Sequence, residues 1–249
     1  AIDQFLLRGG RVLALVDPIC VTDMEASGPS PFGMPRASSD LAPLFAAWGV
    51  TYAPDKVTAD LAAASRIRVA EDRVEDSPVW LTLGAKNVNR KDILTSPLES
   101  MMLPFCGALS AESSKELTVT PLILSSENSC AVNSMTAQFG GQALRGAFKS
   151  GGVPLSLALR LTGTFKTAFP NGKPKEAPDP ENPEAKAPEP AGASAPGLQQ
   201  GQSTVILVAD VDMIFDRFCV QFISHHADFR ILFGERDAEE AEAAVEIKN

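Results

Sequence analysis

The residues with the clearest chemical potential are three aspartates at the ends of two apolar runs. Asp17 follows the run at residues 11–16, and Asp210 and Asp212 follow the run at residues 204–209. Short apolar runs are typical of strands covered on both faces, and open α/β sheets bind ligands at the carboxyl ends of such strands. The three carboxylates could hold Mg²⁺ or Ca²⁺, or accept hydrogen bonds from saccharide hydroxyls. The alternative is that each aspartate caps the turn or helix after its strand.

Two serines, Ser125 and Ser126, end another apolar run and are candidate ligand contacts for the same reason. Neither lies in a G-x-S-x-G nucleophile elbow, and the only bases for serine hydrolysis would be the adjacent His225 and His226. Hydroxyls at a strand end more commonly satisfy backbone groups. We therefore predict no catalytic serine.

The cysteines and glycines do not form a recognisable catalytic or metal-binding motif. Cys20 and Cys130 lack the flanking glycines of an amidotransferase nucleophile, and the four cysteines contain no C-x-x-C pair. They are interpreted as small buried hydrophobes, with one disulfide left open for an oxidising compartment. The glycine pairs at 140–141 and 151–152 lack the G-K-[ST] and G-x-G-x-x-G patterns of phosphate-binding loops. We predict no catalytic residue, no metal and no cofactor.

The elements that must position these residues alternate between extended and helical patterns. Helices are predicted at residues 41–48, after the N-cap candidate Asp40 and before Gly49, and at residues 59–64 and 135–144. Strands are predicted at residues 11–17, 50–52, 79–83, 117–124, 155–161 and 205–209. This alternation predicts an α/β fold with an open, mostly parallel Rossmann-like sheet and helices on both faces.

A proline-rich segment interrupts this pattern. Residues 170–200 contain eight of the nineteen prolines and few apolar side chains other than alanine, which predicts a mobile segment. Because the remainder is too short for a domain of its own, we predict one α/β domain with its main part at 1–169. The domain is completed by a mobile insertion at 170–203, a closing strand and helix at 204–234, and an acidic terminal helix or tail at 235–249. A domain boundary at the proline-rich segment is the alternative.

The charge distribution excludes nucleic acid as an expected partner. The formal net charge is −9, and two segments account for most of it. Residues 170–200 carry five acidic and three basic residues, and residues 235–249 carry six acidic and two basic residues. The rest of the chain therefore has a net charge of about −3 and no stripe of basic residues. No apolar run approaches the roughly 18 residues of a membrane span. We expect a soluble chain that is an excised or processed piece of a longer protein.

Five segments, in this order, resemble the auxiliary components of ABC-type transport systems related to the gliding-motility protein GldG. They are the helix, glycine pair and strand at residues 1–18, the helix and strand at 44–50, the strand end at 121–126, the LA-x-x-L-x-G-x-F segment at 157–165 and the closing strand at 205–212. The resemblance covers most of the chain outside the proline-rich segment and the acidic tail.

The resemblance implies a non-catalytic domain on the extracytoplasmic, periplasmic side of the cytoplasmic membrane. Its parent would be membrane-anchored and would work beside the ABC permease and ATPase subunits of the same system. The fold implied is similar to that of class I glutamine-amidotransferase-like domains. Two alternatives remain open: a module binding a small polar ligand such as a saccharide at Asp17 and Asp210, and a cryptic hydrolase using His225 or His226.

Overall fold

The computed structural model describes residues 1–27, 38–70, 73–172, 197–215 and 229–232. The α-helices within these residues are short: α1 (Ile2–Leu7), α2 (Val21–Ser27), α3 (Ala42–Trp48), α4 (Ser134–Gln138) and α5 (Gly141–Ala147). The strands are β1 (Arg11–Leu15), β2 (Val50–Tyr52), β3 (Lys56–Asp60), β4 (Ala64–Ala70), β5 (Arg73–Gly84), β6 (Ser100–Pro104), β7 (Leu109–Ala111), β8 (Leu117–Leu124), β9 (Ser129–Asn133), β10 (Ser156–Lys166), β11 (Gln200–Val208) and β12 (Phe229–Leu232).

The largest sheet is mixed and has seven strands in the order β12-β1-β11-β10-β7-β2, with β8 also paired to β10. β1 runs parallel to both of its neighbours, β11 and β12. The pairings of β10 with β11, β8 and β7, and of β2 with β7, are antiparallel. Leu15 lies beside Val208, so β1 and β11 end side by side.

Two smaller antiparallel sheets complete the fold. β3 pairs with β9, and β5 lies between β4 and β6. From β3 to β9 the described residues alternate between strands and turns, and only a single 3₁₀ turn at Ala85–Asn87 is helical. This part of the chain is therefore β-rich, and the one helix that the sequence predicted within it, at residues 59–64, is absent.

The hydrophobic core lies on both faces of the large sheet. On one face, side chains of β1, β10 and β11 pack against α1 and α3, including the fully buried or nearly buried Leu6, Phe45 and Trp48. On the other face, Leu13, Leu15, Ile206 and Val208 pack against Leu81, Leu83 and Leu103 of β5 and β6. Each such side chain contributes roughly 1.5–3 kcal/mol by its removal from water. The large sheet is therefore covered by helices on one face and by a second sheet on the other.

The predicted fold class is wrong. Strands make up 42% and helices 19% of the structure, in mixed and antiparallel sheets, which is neither a Rossmann-like sheet with helices on both faces nor a glutamine-amidotransferase-like domain. The apolar runs do form central strands buried on both faces. An antiparallel strand covered on both faces shows the same unbroken apolar run as a parallel one, so the pattern could not reveal strand direction.

Most of the predicted elements lie close to observed ones, with one clear exception, but the sequence did not predict α2, β3, β4, β6, β7, β9 and β12. α3 ends at Gly49, which has the left-handed φ of 68° expected of a glycine stop, and Asp40 Oδ1 accepts a hydrogen bond from Ala42 N. The helix predicted at residues 135–144 is divided into α4 and α5. The helix predicted at residues 59–64 is wrong, because this stretch ends β3, turns and begins β4.

The proline-rich segment joins two paired strands: β10 ends at Lys166, β11 begins at Gln200, and Lys166 lies beside Gln200 in the ladder. Residues 173–196 of the predicted insertion lie outside the described residues, as do the histidines and the acidic tail at 235–249. The predicted domain boundaries stay predictions. None of the helices in the described part of the chain is long and apolar enough to cross a bilayer.

Candidate functional site

The structure brings the three predicted aspartates together at the carboxyl ends of β1 and β11. The parallel ladder continues past the strands, since Val16 N donates to Val208 O over 3.0 Å. Continuing this register places Asp17 beside Asp210, with Asp212 two residues further along. All three side chains are completely buried. The register therefore brings the three residues to one edge of a sheet, although the sheet is mixed, and their role in ligand binding stays a prediction.

Asp17 connects the two strand ends. Its Oδ1 accepts a hydrogen bond from Ile19 N at 2.8 Å, and its Oδ2 accepts one from Val211 N at 3.0 Å. The backbone of Asp17 is held in turn by Ser39, whose Oγ accepts from Asp17 N and whose N donates to Asp17 O. The carboxylate thus acts as the predicted turn cap and also joins segments about two hundred positions apart in the sequence.

Asp212 anchors the first turn of α2 from a distant part of the chain. Its Oδ2 accepts from Val21 N at 2.7 Å, and its Oδ1 accepts from Thr22 N at 3.0 Å and from the Thr22 hydroxyl. The Cys20 thiol also points at Oδ1, with 3.5 Å between Sγ and Oδ1. Because the first N–H groups of a helix have no partner within the helix, a buried carboxylate there satisfies several donors at once.

Asp210 is satisfied through only one of its oxygens. Oδ1 accepts from Met213 N, in the 3₁₀ turn Asp212–Ile214, at 2.7 Å. Within the described part of the chain, Asp210 Oδ2, Tyr52 Oη and Trp48 Nε1 are the buried side-chain polar atoms without a hydrogen-bond partner. A buried oxygen without a donor costs about 1–3 kcal/mol. Asp210 is therefore the least satisfied member of the cluster.

A tight loop after β6 brings a thiol to the same edge. Phe105 has a φ of 51°, uncommon for a bulky residue, and the loop is fixed where Gly107 N donates to Ala209 O at 2.7 Å. Cys106 is completely buried between these two residues. A Cβ at Gly107 would lie 2.8 Å from Cε2 of Tyr52, so glycine allows the tyrosine ring to pack against the loop.

Burial and mutual repulsion make the edge electrostatically unusual. Desolvation, followed by the neighbouring Asp212 charge, raises the pKa of Asp17 well above its usual value. Desolvation and the charge of Asp17 raise the pKa of Asp210 in the same way. Burial also raises the pKa of the Cys20 and Cys106 thiols and of the Tyr52 phenol. None of the ion pairs in the described residues supplies a cation to these groups.

We expect Asp210→Asn to be more thermally stable than the wild type near neutral pH and to depend less on pH. The raised pKa lets the folded protein keep a proton that the unfolded chain loses above about 3.8, so the wild type loses stability as pH rises from that value through the folded pKa. Asparagine carries no titrating proton and can still accept from Met213 N. Melting temperatures from pH 4.5 to 8.5, with a chelator present, measure the effect.

The matched control for this comparison is Asp55→Asn, at an aspartate whose side chain is 64% exposed. It should follow the wild-type pH profile. An Asp210→Asn protein whose melting temperature runs parallel to that of the wild type across the whole range would contradict the assignment of a raised pKa to Asp210.

Ser125 and Ser126 form a separate polar cluster at the β8–β9 turn. Ser126 donates to Asp60 through both its N and its Oγ, at 2.6 Å and 2.7 Å. Ser125 Oγ lies 2.7 Å from Ser129 Oγ and accepts from Leu155 N at 2.7 Å. Their hydroxyls bind neighbouring groups at a strand-to-loop junction, as the alternative interpretation of these residues predicted. None of these contacts joins them to the three aspartates.

Sequence reasoning missed three residues of the aspartate edge: Cys20, Tyr52 and Cys106. The sequence favours a small buried hydrophobe at Cys20, but the position of Cys20 three residues after Asp17 is a local signal for a shared site. Tyr52 ends β2 and Cys106 follows β6, and nothing in their spacing connects them with residues 17 or 210. Their approach depends on the tertiary contact between Gly107 and Ala209.

Neither thiol at this edge has the features of an activated nucleophile. Burial raises the pKa of Cys20 and Cys106, which disfavours the thiolate that nucleophilic catalysis needs. His225 and His226, the bases that a hydrolase would require, lie outside the described residues. Potential metal ligands are present: Asp17, Cys20 and Asp212 each offer one ligand atom, and these atoms lie within 4.8 Å of one another.

Comparisons with known proteins identify the family. The family model for an ABC-type uncharacterized transport system, whose members are auxiliary components of such systems, matches residues 1–234. The searches of curated proteins and of solved structures gave no significant match. The matched range contains the complete aspartate edge and all described elements. This chain therefore belongs to the family of auxiliary components of ABC-type transport systems.

Proposed function

We propose that the chain is a non-catalytic, extracytoplasmic domain of a membrane-anchored auxiliary subunit, and that it acts by binding the permease of its own ABC transport system. The ATPase would associate with it through the permease. The observation that carries this proposal is the family match, which extends over residues 1–234. A match of that length assigns the domain as a whole to an auxiliary role.

The chemistry of the aspartate edge supports a role without catalysis. A catalytic carboxylate or thiol must reach its substrate, whereas Asp17, Asp210 and Asp212 are completely buried and two of them are held by several backbone donors. The same burial argues against a saccharide-sized ligand at this edge, because such a ligand would have to displace the loop at Gly107 and the start of α2. No specific observation favours the binding module or the hydrolase.

We expect the tagged natural protein, purified from its native membranes in mild detergent, to recover an ABC permease and its ATPase. The matched control is the same protein lacking the part that corresponds to residues 1–234, which should recover much less of both. Equal recovery by the two proteins would show that membrane segments alone mediate the association. Recovery of neither subunit by the natural protein would overturn the proposal.

The location can be tested with a single engineered thiol. Lys86 lies exposed in the 3₁₀ turn after β5, so Lys86→Cys in the natural protein presents a reactive site. Cys20 and Cys106 are buried. We expect a membrane-impermeant maleimide to label the Lys86→Cys protein in intact spheroplasts, above the background of the unsubstituted protein. Labelling that requires lysis of the spheroplasts would place the domain in the cytoplasm and contradict the proposal.

A further inference from the structure

We propose that the chain binds one divalent metal ion of the zinc class at the buried strand edge, with Asp17, Cys20 and Asp212 as its protein ligands and Asp210 beside them. This site is independent of any contact with a transporter subunit. It lies entirely between elements of the chain itself, at the point where β1, β11 and the start of α2 meet.

The spacing of the ligand atoms fits a small tetrahedral ion. Zinc lies about 2.3 Å from a thiolate sulfur and about 2.0 Å from a carboxylate oxygen, so a tetrahedral angle separates sulfur and oxygen by about 3.5 Å. Cys20 Sγ and Asp212 Oδ1 are 3.5 Å apart. One carboxylate oxygen of Asp17 completes a group whose three atoms are all within 4.8 Å of one another.

A second observation, independent of this group, comes from Asp210. Its side chain is completely buried, and its Oδ2 has no hydrogen-bond partner in the described residues. Continuing the register of β1 with β11 places Asp210 beside Asp17, and Asp17 and Asp212 are the charged groups that raise its pKa most. Buried carboxylates are stable when they are paired, hydrogen-bonded or bound to a metal, and no ion pair among the described residues involves Asp210.

The surrounding backbone can hold the excess negative charge. Three carboxylates and one thiolate exceed the charge of a dication. Five backbone N–H groups point at the carboxylates, those of Ile19, Val21, Thr22, Val211 and Met213. Donors of this kind orient metal-binding carboxylates in proteins and stabilise their ionised form. The Cys20 thiol loses its proton to solvent on coordination, driven by the charge of the ion.

The donor set selects the class of ion. Ca²⁺ and Mg²⁺ take six or more oxygen ligands and avoid sulfur, whereas a thiolate combined with a few oxygens suits zinc and its substitute Co²⁺. The ligands come from two segments, residues 17–20 and 210–212, so a bound ion would fasten the end of β1 to the end of β11. We therefore expect the ion to be structural and to raise the melting temperature.

Cobalt absorption tests the site directly. The 249-residue chain is treated with a chelator, transferred to metal-free buffer with a non-thiol reductant and titrated with Co²⁺. We expect one equivalent to bind, with the near-ultraviolet absorption of a thiolate-to-cobalt charge transfer, and one equivalent of Zn²⁺ to remove that absorption. Mg²⁺ and Ca²⁺ at tenfold higher concentration should not compete.

Two variants test the ligand Cys20 and its neighbour Asp210. Cys20→Ser should abolish the charge-transfer absorption, and Asp210→Asn, which removes a supporting charge beside the ligands, should weaken Co²⁺ binding about tenfold. Cys130→Ser, at a half-buried cysteine outside the cluster, should behave as the wild type. Circular dichroism and a cooperative melt establish that each variant is folded.

No charge-transfer absorption in the wild type, or equal absorption in Cys20→Ser, would overturn the proposal. Metal content of the protein purified without chelator provides a second readout, and less than a tenth of an equivalent of zinc together with no Co²⁺ binding would also overturn it.

Discussion

Replacing Asp212 with alanine is expected to lower the free energy of unfolding by about 3–5 kcal/mol, enough to unfold a marginally stable domain. The carboxylate is completely buried and accepts from Val21 N, Thr22 N and the Thr22 hydroxyl. Alanine removes every one of these acceptors and leaves the first N–H groups of α2 without partners. Each buried donor left in this way costs about 1–3 kcal/mol.

Urea denaturation followed by circular dichroism, with a chelator present, measures this loss apart from any contribution of a bound metal. The matched control is Asp55→Ala, which removes an aspartate with a largely exposed side chain and should change stability by no more than about 0.5 kcal/mol. Asp212→Asn keeps one acceptor oxygen, so its free energy of unfolding should lie between those of the Asp212→Ala and Asp55→Ala proteins. An Asp212→Ala protein within about 1 kcal/mol of the Asp55→Ala control would refute the anchoring role.

The position of the aspartate edge was predictable because its signals are local. An apolar run buried on both faces and ending in aspartate indicates a central strand followed by a polar turn, and residues 11–17 and 204–212 both have this form. Their adjacency followed from placing both in one sheet. The parallel register of Leu15 with Val208 then brings Asp17 and Asp210 together.

The architecture around that edge was not predictable from the same signals. An apolar run indicates that a strand is covered on both faces, but it does not indicate which elements cover it. Here β5 and β6 cover one face of the sheet, through Leu81 and Leu103, where helices were expected. Strand direction is equally hidden, since the apolar run of β11 at residues 205–208 pairs parallel with β1 on one side and antiparallel with β10 on the other. The resemblance to the transport-system family was confirmed, and the fold inferred with it was wrong.

The remaining site residues depend on contacts between distant segments. Cys106 reaches the edge because Phe105 takes a left-handed conformation and Gly107 binds Ala209. Tyr52 reaches it because Gly107 has no side chain. Neither of these contacts corresponds to a periodicity or a motif in the sequence. Cys20 is different, since its spacing from Asp17 is local, and a test for mixed carboxylate and thiol ligands could have found it.

Replacing Gly201 with alanine is expected to lower the free energy of unfolding by about 3 kcal/mol, although intrinsic propensity would predict a stabler strand. Gly201 lies in β11 beside Phe165, and its Cβ would stand 1.9 Å from the backbone O of Leu7 and 2.6 Å from its carbonyl carbon. These are backbone atoms at the end of α1, so no rotamer change can relieve the contact. The helix must move away from β11, which exposes the buried Leu6 and Leu7.

Gly146→Ala is the matched control, because it makes the same chemical change where the structure has room. Gly146 lies in α5, and a Cβ there would meet nothing within 4 Å, so alanine should add up to about 1 kcal/mol through its higher helix propensity. For a chain of this size, the Gly201→Ala loss corresponds to a melting temperature about 6–12 °C lower. Thermal melts of the two variants and the wild type measure the difference. Both substitutions reduce the entropy of the unfolded chain equally, so stability changes of opposite sign can arise only from the folded state. A Gly201→Ala protein as stable as Gly146→Ala would mean that α1 does not pack against β11 as described.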